Sequence, residues 1–192
     1  MVIAMFTRDF ESQAIRLCQS LDSFQTPYSI YEVPSVHTSI SSRGTGDLEF
    51  SKPGFILRAM EMFEMPVLYV DVDMVFRKLP VFVENPAGSA TDFAVYNWLA
   101  DSNNDAWVPV AVEAASGESS RGRYYAFSHT VDLYDERQLL CSGAVQYHSG
   151  SRSSRKLLDA WLETIRHMPT TSDDELLHYA FNLHRKSQDL NT

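Results

Sequence analysis

Pro66-Val-Leu-Tyr-Val-Asp-Val-Asp-Met-Val-Phe76 is the stretch whose reading decides the fold. A short run rich in β-branched and aromatic residues follows a proline, which reads as a buried strand. It ends in Asp71 and Asp73, one residue apart. On an extended chain, side chains at i and i+2 point the same way. Both carboxylates are therefore expected to leave the strand tip in parallel. Like charges ~4 Å apart cost about 4 kcal/mol at an effective dielectric near 20, so a positive partner is expected between them. A hard divalent cation, Mn²⁺ or Mg²⁺, is the simplest one, because these ions prefer oxygen ligands. The plainer reading is a pair of aspartates that solvate a strand exit.

Working outward, Val2 to Phe6 reads as a first strand, with Thr7-Arg8-Asp9 at its exit. A helix follows, with Asp9 as its expected N-cap and Ala14, Leu17, Cys18 and Leu21 on one face, joined by Ile15 and Phe24. After Pro27, Tyr28 to Val33 reads as a second strand. Ser35 to Gly46 has the composition of a loop. Pro53 suits the first turn of a helix carrying Ile56, Ala59, Met60 and Phe63, and Pro66 is expected to stop it. Phe93 to Tyr96 and Gly143 to His148 are further strand candidates. Residues 101–140 are irregular. Helices are predicted from about Ser153, with Leu157, Leu158, Trp161, Leu162 and Ile165 inward, and from about Ser172, with Leu176, Leu177, Ala180 and Phe181 inward. The order β-α-β-α-β-β-β-α-α predicts one α/β domain over residues 1–192, with a mostly parallel sheet flanked by helices. Ligands of such sheets bind beyond the carboxyl ends of the strands, where Asp71 and Asp73 fall.

Composition narrows the function. Twenty-five acidic against 16 basic residues give a net charge of −9, which argues against a nucleic-acid partner held through phosphates. Cys18 and Cys141 have no metal-ligand spacing, and a reducing, cytoplasmic setting is expected. The stretch from Met1 to Asp9 turns polar too soon for a signal peptide, and no apolar run of ~20 residues predicts a membrane span.

Other residues at this sheet edge have two readings each. Thr7 and Arg8 read as nucleotide contacts or as a solvated helix entry. Lys52, opening a helix, reads as an anion contact or a surface lysine. Ser142-Gly143 allows close approach of a ligand to the backbone or makes a turn. Ser172-Asp-Asp-Glu175 is a capping box, and Asp173 or Asp174 is also placed to face a reacting group. Of the six histidines only His148, at a strand end, merits attention, and a polar surface or satisfied core role suits each of them better.

Taken together these segments resemble the GT-A-type nucleotide-diphospho-sugar glycosyltransferases over nearly the whole chain. Val2 to Arg8 is similar to the family's first strand and its nucleotide-contacting exit, and Lys52-Pro53 to its Lys-Pro helix opening. Leu68 to Phe76 resembles its Asp-x-Asp strand, and Pro80 the proline that follows. Cys141-Ser-Gly-Ala-Val-Gln-Tyr147 is similar to the Asn-Ser/Thr-Gly strand, Trp161 to the tryptophan of the next helix, and Asp173-Asp-Glu-Leu-Leu-His178 to the Asp-Gln-x-x-Leu-Asn helix start. The resemblance implies a metal-dependent glycosyltransferase that moves a sugar from a nucleoside diphosphate donor, a UDP-sugar above all, to an acceptor hydroxyl. It implies Mn²⁺ or Mg²⁺ on Asp71 and Asp73, nucleotide and phosphate contacts at Phe6, Thr7, Arg8, Lys52 and Val72, and a sugar pocket at Ser142 and Gly143. Asp173 and Asp174 would orient the sugar or the attacking hydroxyl. Cys141, Asp174 and His178 depart from the family pattern. The segment that supplies a further metal-ligating histidine in many relatives does not follow before Thr192. Two alternatives stand beside this reading. One is a haloacid-dehalogenase-like phosphotransferase, whose apolar run ending in Asp-x-Asp matches Val67 to Val75. The other is a nucleotide-sugar-binding module without turnover.

Overall fold

The computed structural model describes residues 1–34, 51–79, 91–97, 141–168 and 173–186. Within them the chain forms strands β1 (Val2–Phe6), β2 (Tyr28–Glu32), β3 (Val67–Val70), β4 (Phe93–Asn97) and β5 (Cys141–His148). The helices are α1 (Glu11–Asp22), α2 (Lys52–Phe63), α3 (Arg152–His167) and α4 (Asp173–Lys186). The expected succession of elements is therefore present. The loop expected over 35–46, the region 101–140, Pro80 and Ser172 lie outside the described residues.

The strands make one sheet in the order β2-β1-β3-β5-β4. The pairs β1–β2 and β1–β3 are parallel, and β5 is antiparallel to both β3 and β4. Four strands thus point one way and β5 runs against them, which is the mostly parallel α/β sheet the sequence predicts. The reversal of β5 matters for the site: it brings the start of β5, not its end, to the carboxyl end of β3.

Strand alternation sorts the core into two layers. Val2, Ala4, Leu68, Val70 and Tyr147 face α1 through Ala14, Leu17 and Leu21. Ile3, Val67, Tyr69 and Phe93 face Ile56 and Met60 of α2, Leu157, Leu158 and Trp161 of α3, and Leu176, Leu177 and Phe181 of α4. Each fully buried side chain of this size contributes roughly 1.5–3 kcal/mol of transfer free energy. The apolar runs of β1 and β3 carry no polar alternation because both faces are covered.

Local chemistry fixes the helix ends. Ser51 Oγ accepts from Gly54 N and Ser151 Oγ from Ser154 N, so both are N-caps. Three expectations are corrected. Asp9 is not a cap: it sits inside a 3₁₀ turn, Arg8–Phe10, closed by Phe10 N donating to Thr7 O, and α1 starts afterwards at Glu11. Pro66 does not stop α2; Glu64, at φ 50°, ends it in a left-handed C-cap with its N–H on Met60 O. Ile15 is half exposed and Cys18 only partly buried, because the inward stripe of α1 is the narrower Ala14–Leu17–Leu21 line. No described helix is long and apolar enough to cross a membrane.

Candidate functional site

The expected parallel pair of carboxylates is not formed by an extended strand. β3 ends at Val70, and Asp71 to Met74 closes as a turn with Met74 N donating to Asp71 O. The i, i+2 rule holds one step earlier instead: Tyr69 and Asp71 share a face, and the Tyr69 hydroxyl donates to Asp71 Oδ1 at 2.9 Å. Asp71 N still donates to Ala144 O of β5, which pins the strand exit. Val72 turns its side chain into the core, and Asp73 faces solvent. Arg16 of α1 donates to Asp73 O and so braces the turn.

The positive partner of Asp71 is Lys52. Its ammonium lies 3.0 Å from Asp71 Oδ1 and 3.1 Å from Oδ2. The same nitrogen lies 2.5 Å from Asp173 Oδ2 and 3.4 Å from Gly143 O. The Lys52 side chain is only 18% exposed, so these contacts replace most of its water. Burial alone would lower its pKa. The surrounding phenol of Tyr69 and the carboxyl groups of Asp173, Asp71 and Asp174 outweigh burial and hold the lysine well above its ordinary value. The Tyr69 phenol is itself pushed well up, by burial first and by Asp71 and Asp173 next, despite the opposing pull of Lys52. It therefore stays neutral near neutral pH.

The first turn of α4 delivers the remaining acids. Asp173 meets Lys52, while Asp174 is buried and accepts the Gly143 N–H on Oδ1 at 2.5 Å. A side chain on residue 143 would collide with that oxygen, so glycine is required there by the close approach of α4. Five sequence-predicted residues, Lys52, Asp71, Gly143, Asp173 and Asp174, thus converge at the carboxyl end of β3.

The other predicted residues lie apart from this cluster. Arg8 is highly exposed and reaches Glu32 at 4.0 Å, the geometry of a solvated helix entry. Thr7 is buried beside it, and Phe6 packs against the α1 layer. The side chain of Ser142 lies outside the described residues.

Sequence reasoning missed Tyr69 and Gln146, and allowed His148 a satisfied core role without naming its partners. The signal was present: Gln146 and His148 are polar residues at alternate positions of a strand whose neighbours are apolar. Both are fully buried. Gln146 Nε2 donates to Gly143 O at 2.9 Å, and His148 lies between Gln146 Oε1 at 3.2 Å and Ser154 Oγ at 3.1 Å. Burial pushes the His148 imidazole down to about 3, so it is neutral.

Among the described residues, no three His, Cys, Asp or Glu side chains gather as a metal cage. The two residues expected to hold a metal are Asp71, already shared by Lys52 and Tyr69, and Asp73, whose exposed carboxylate meets no partner among the described residues. Mg²⁺ is commonly held by one or two carboxylates with substrate phosphates and water completing the shell. Asp71 and Asp73 fit that kind of site and not an all-protein one. A separate cleft of about 420 Å³, bounded by Glu61, Glu64, Pro66 and Arg155, opens at the amino end of β3, away from these groups.

No protein-family model matches the chain, and no curated protein matches it in sequence. In fold it is similar to the solved structure of the galactosyltransferase LgtC in complex with donor and acceptor sugar analogues. The TM-score is 0.50 with 11% identity, covering 92% of this chain and 68% of that one. That neighbour is a glycosyltransferase of GT-A architecture, and the likeness establishes a GT-A-like fold for this chain.

Proposed function

We propose that the chain is a metal-dependent glycosyltransferase domain that takes a nucleoside diphosphate sugar, a UDP-sugar above all, and transfers the sugar to an acceptor hydroxyl. One observation carries the reading: Lys52, Asp71, Gly143, Asp173 and Asp174, drawn from four separate elements, meet at one sheet edge. The neighbour solved with donor and acceptor sugar analogues supports a sugar-transfer chemistry over a phosphotransferase one.

Asp71 and Asp73 would hold the divalent cation, which when bound neutralises a diphosphate and stabilises it as a leaving group. Lys52 adds a fixed positive charge at the same edge and keeps Asp71 and Asp173 from repelling each other. Gly143, lacking a side chain, lets the first turn of α4 close against β5 and so sets the two acids beside the sugar pocket. Asp174, whose Oδ1 holds the Gly143 N–H, positions that backbone, which leaves Asp173 as the more accessible acid to orient the sugar or the incoming hydroxyl. Thr7 and Arg8, at the exit of β1 on this carboxyl edge, are the nucleotide-side residues in this reading, with Phe6 and the Val72 backbone beside them.

The test is thermal stabilisation by UDP with and without Mn²⁺, followed by assays of UDP release from UDP-glucose and of p-nitrophenyl phosphate hydrolysis. Metal-dependent stabilisation with UDP release supports the proposal. Stabilisation without release from any of a panel of UDP-sugars leaves a binding module. Phosphatase activity lost in Asp71→Asn, with no UDP effect, replaces the proposal by the phosphotransferase.

A further inference from the structure

We propose that Gln146 is a positioning residue of this site. Its side-chain amide fixes the Gly143 carbonyl, and through it the bend of β5 on which Lys52 and Asp174 converge. The consequence for ligand binding rests on the transferase reading; the positioning itself does not.

The ladder explains why such a residue is needed. β5 pairs with β3 as far as Val70↔Val145, and the last bond is Asp71 N to Ala144 O. Against β4 the register slips, from Val95↔Gln146 directly to Asn97↔Cys141. Residues 142–145 therefore bulge away from β4, and a bulge re-aims the backbone next to it. Gly143 sits in this bulge, and side chains take over its two backbone groups. Asp174 accepts the N–H, while Gln146 Nε2 donates to the carbonyl, with the Lys52 ammonium at 3.4 Å.

The Gln146 amide can lie only one way round. Gly143 O accepts only, so Nε2 must face it and Oε1 must face His148. His148 then donates from Nε2, and its Nδ1 accepts from the Ser154 hydroxyl. All three side chains are fully buried, and each polar contact is matched. An apolar residue would fill position 146 without the cost of burying an amide. What the amide adds is a rigid chain of hydrogen bonds from the first turn of α3 to the Gly143 carbonyl.

The experiment compares Gln146→Met, which keeps the volume and loses the amide, with Leu17→Ala, which weakens the core on the other face of the sheet. The readouts are the exchange rate of the Gly143 amide relative to those of β3 and the affinity for UDP with Mn²⁺. Losing one hydrogen bond of ordinary worth is expected to speed relative Gly143 exchange and weaken UDP about tenfold in Gln146→Met, and to do neither in Leu17→Ala. Ser154→Ala, cutting the far end of the chain, is expected to move both readouts the same way by less. This second variant decides the matter if Gln146→Met does not fold. Unchanged Gly143 exchange at a lowered melting temperature would overturn the positioning role and make Gln146 a core filler. Faster exchange with unchanged UDP affinity overturns its consequence for binding. If the wild-type chain binds no UDP, the transferase reading falls, and the exchange data still decide the role of Gln146.

Discussion

Gly143 donates its backbone N–H to the Asp174 carboxylate across 31 residues of sequence, and a β-carbon on residue 143 would fall on that same oxygen. One contact thus sets both the identity of residue 143 and the depth at which α4 docks. It also explains how Asp173, the adjacent residue, comes to face Lys52.

Gly143→Ala is expected to push Asp174 aside and back α4 away from β5. Overpacking of this kind costs typically 1–3 kcal/mol, and about 2 kcal/mol is expected in urea denaturation. Because the Asp173 carboxylate also lies within 3.3 Å of the added carbon, UDP affinity is expected to fall together with stability. A fully stable Gly143→Ala protein would mean that the contact is looser than described.

Lys52→Met leaves Asp71 and Asp173 facing each other without a cation. Breaking a poorly solvated ion pair on one side costs about 3 kcal/mol, and Lys52→Met/Asp71→Asn is expected to recover part of it. Since the folded-state pKa of Lys52 is raised, its stabilisation is fully present below the ordinary value of 10.5 and is lost only as pH rises through the higher folded value. The difference between wild type and Lys52→Met should therefore stay constant through neutral and mildly alkaline pH. A difference that fades there would contradict the buried pairing.

Asp71→Ala and Asp73→Ala are expected to separate stability from metal response. Asp73 is exposed in a turn, so its replacement should leave stability within about 0.5 kcal/mol while abolishing the Mn²⁺ dependence of UDP stabilisation. Asp71 holds Lys52 and Tyr69, so its replacement should lower stability as well. Retained Mn²⁺-dependent UDP binding in Asp73→Ala would count against the proposed metal site.

His148 gives the fold an acid sensitivity. Its folded pKa, depressed to about 3 by burial, lies below the ordinary 6.5. The unfolded chain therefore takes up a proton that the folded chain refuses, and stability is lost as pH falls from 6.5 toward 3. The expected slope from this one group is at most about 1.4 kcal/mol per pH unit. In His148→Gln the acid limb of the stability–pH curve should be shallower by that amount. An unchanged slope would assign the acid lability to the carboxylates alone.

The strands and helices were legible because their signals are local. Val67 to Val70 is apolar throughout because both faces are covered, and Leu157, Leu158, Trp161 and Ile165 recur at helical spacing because one face is covered. Lys52, Asp71, Gly143, Asp173 and Asp174 could be named from their positions at element ends, as open alternatives to capping and turn roles. The direction of Asp73 was not legible, since an extended-chain rule cannot foresee a turn that closes after Val70. Gln146 was not read as a partner of Gly143, because that contact depends on a bulge opposite β4.

By itself, then, the sequence determined which segments are strands and helices, their order, and which chemical groups stand at the sheet's carboxyl edge, because periodicity and turn chemistry act over a few residues. Only the tertiary structure decided that a lysine neutralises Asp71, that Asp174 binds backbone while Asp173 faces the ammonium, and that an antiparallel β5 carries Gly143 to the end of β3. Those outcomes depend on strand direction, register and burial, which arise from contacts between residues far apart in the chain.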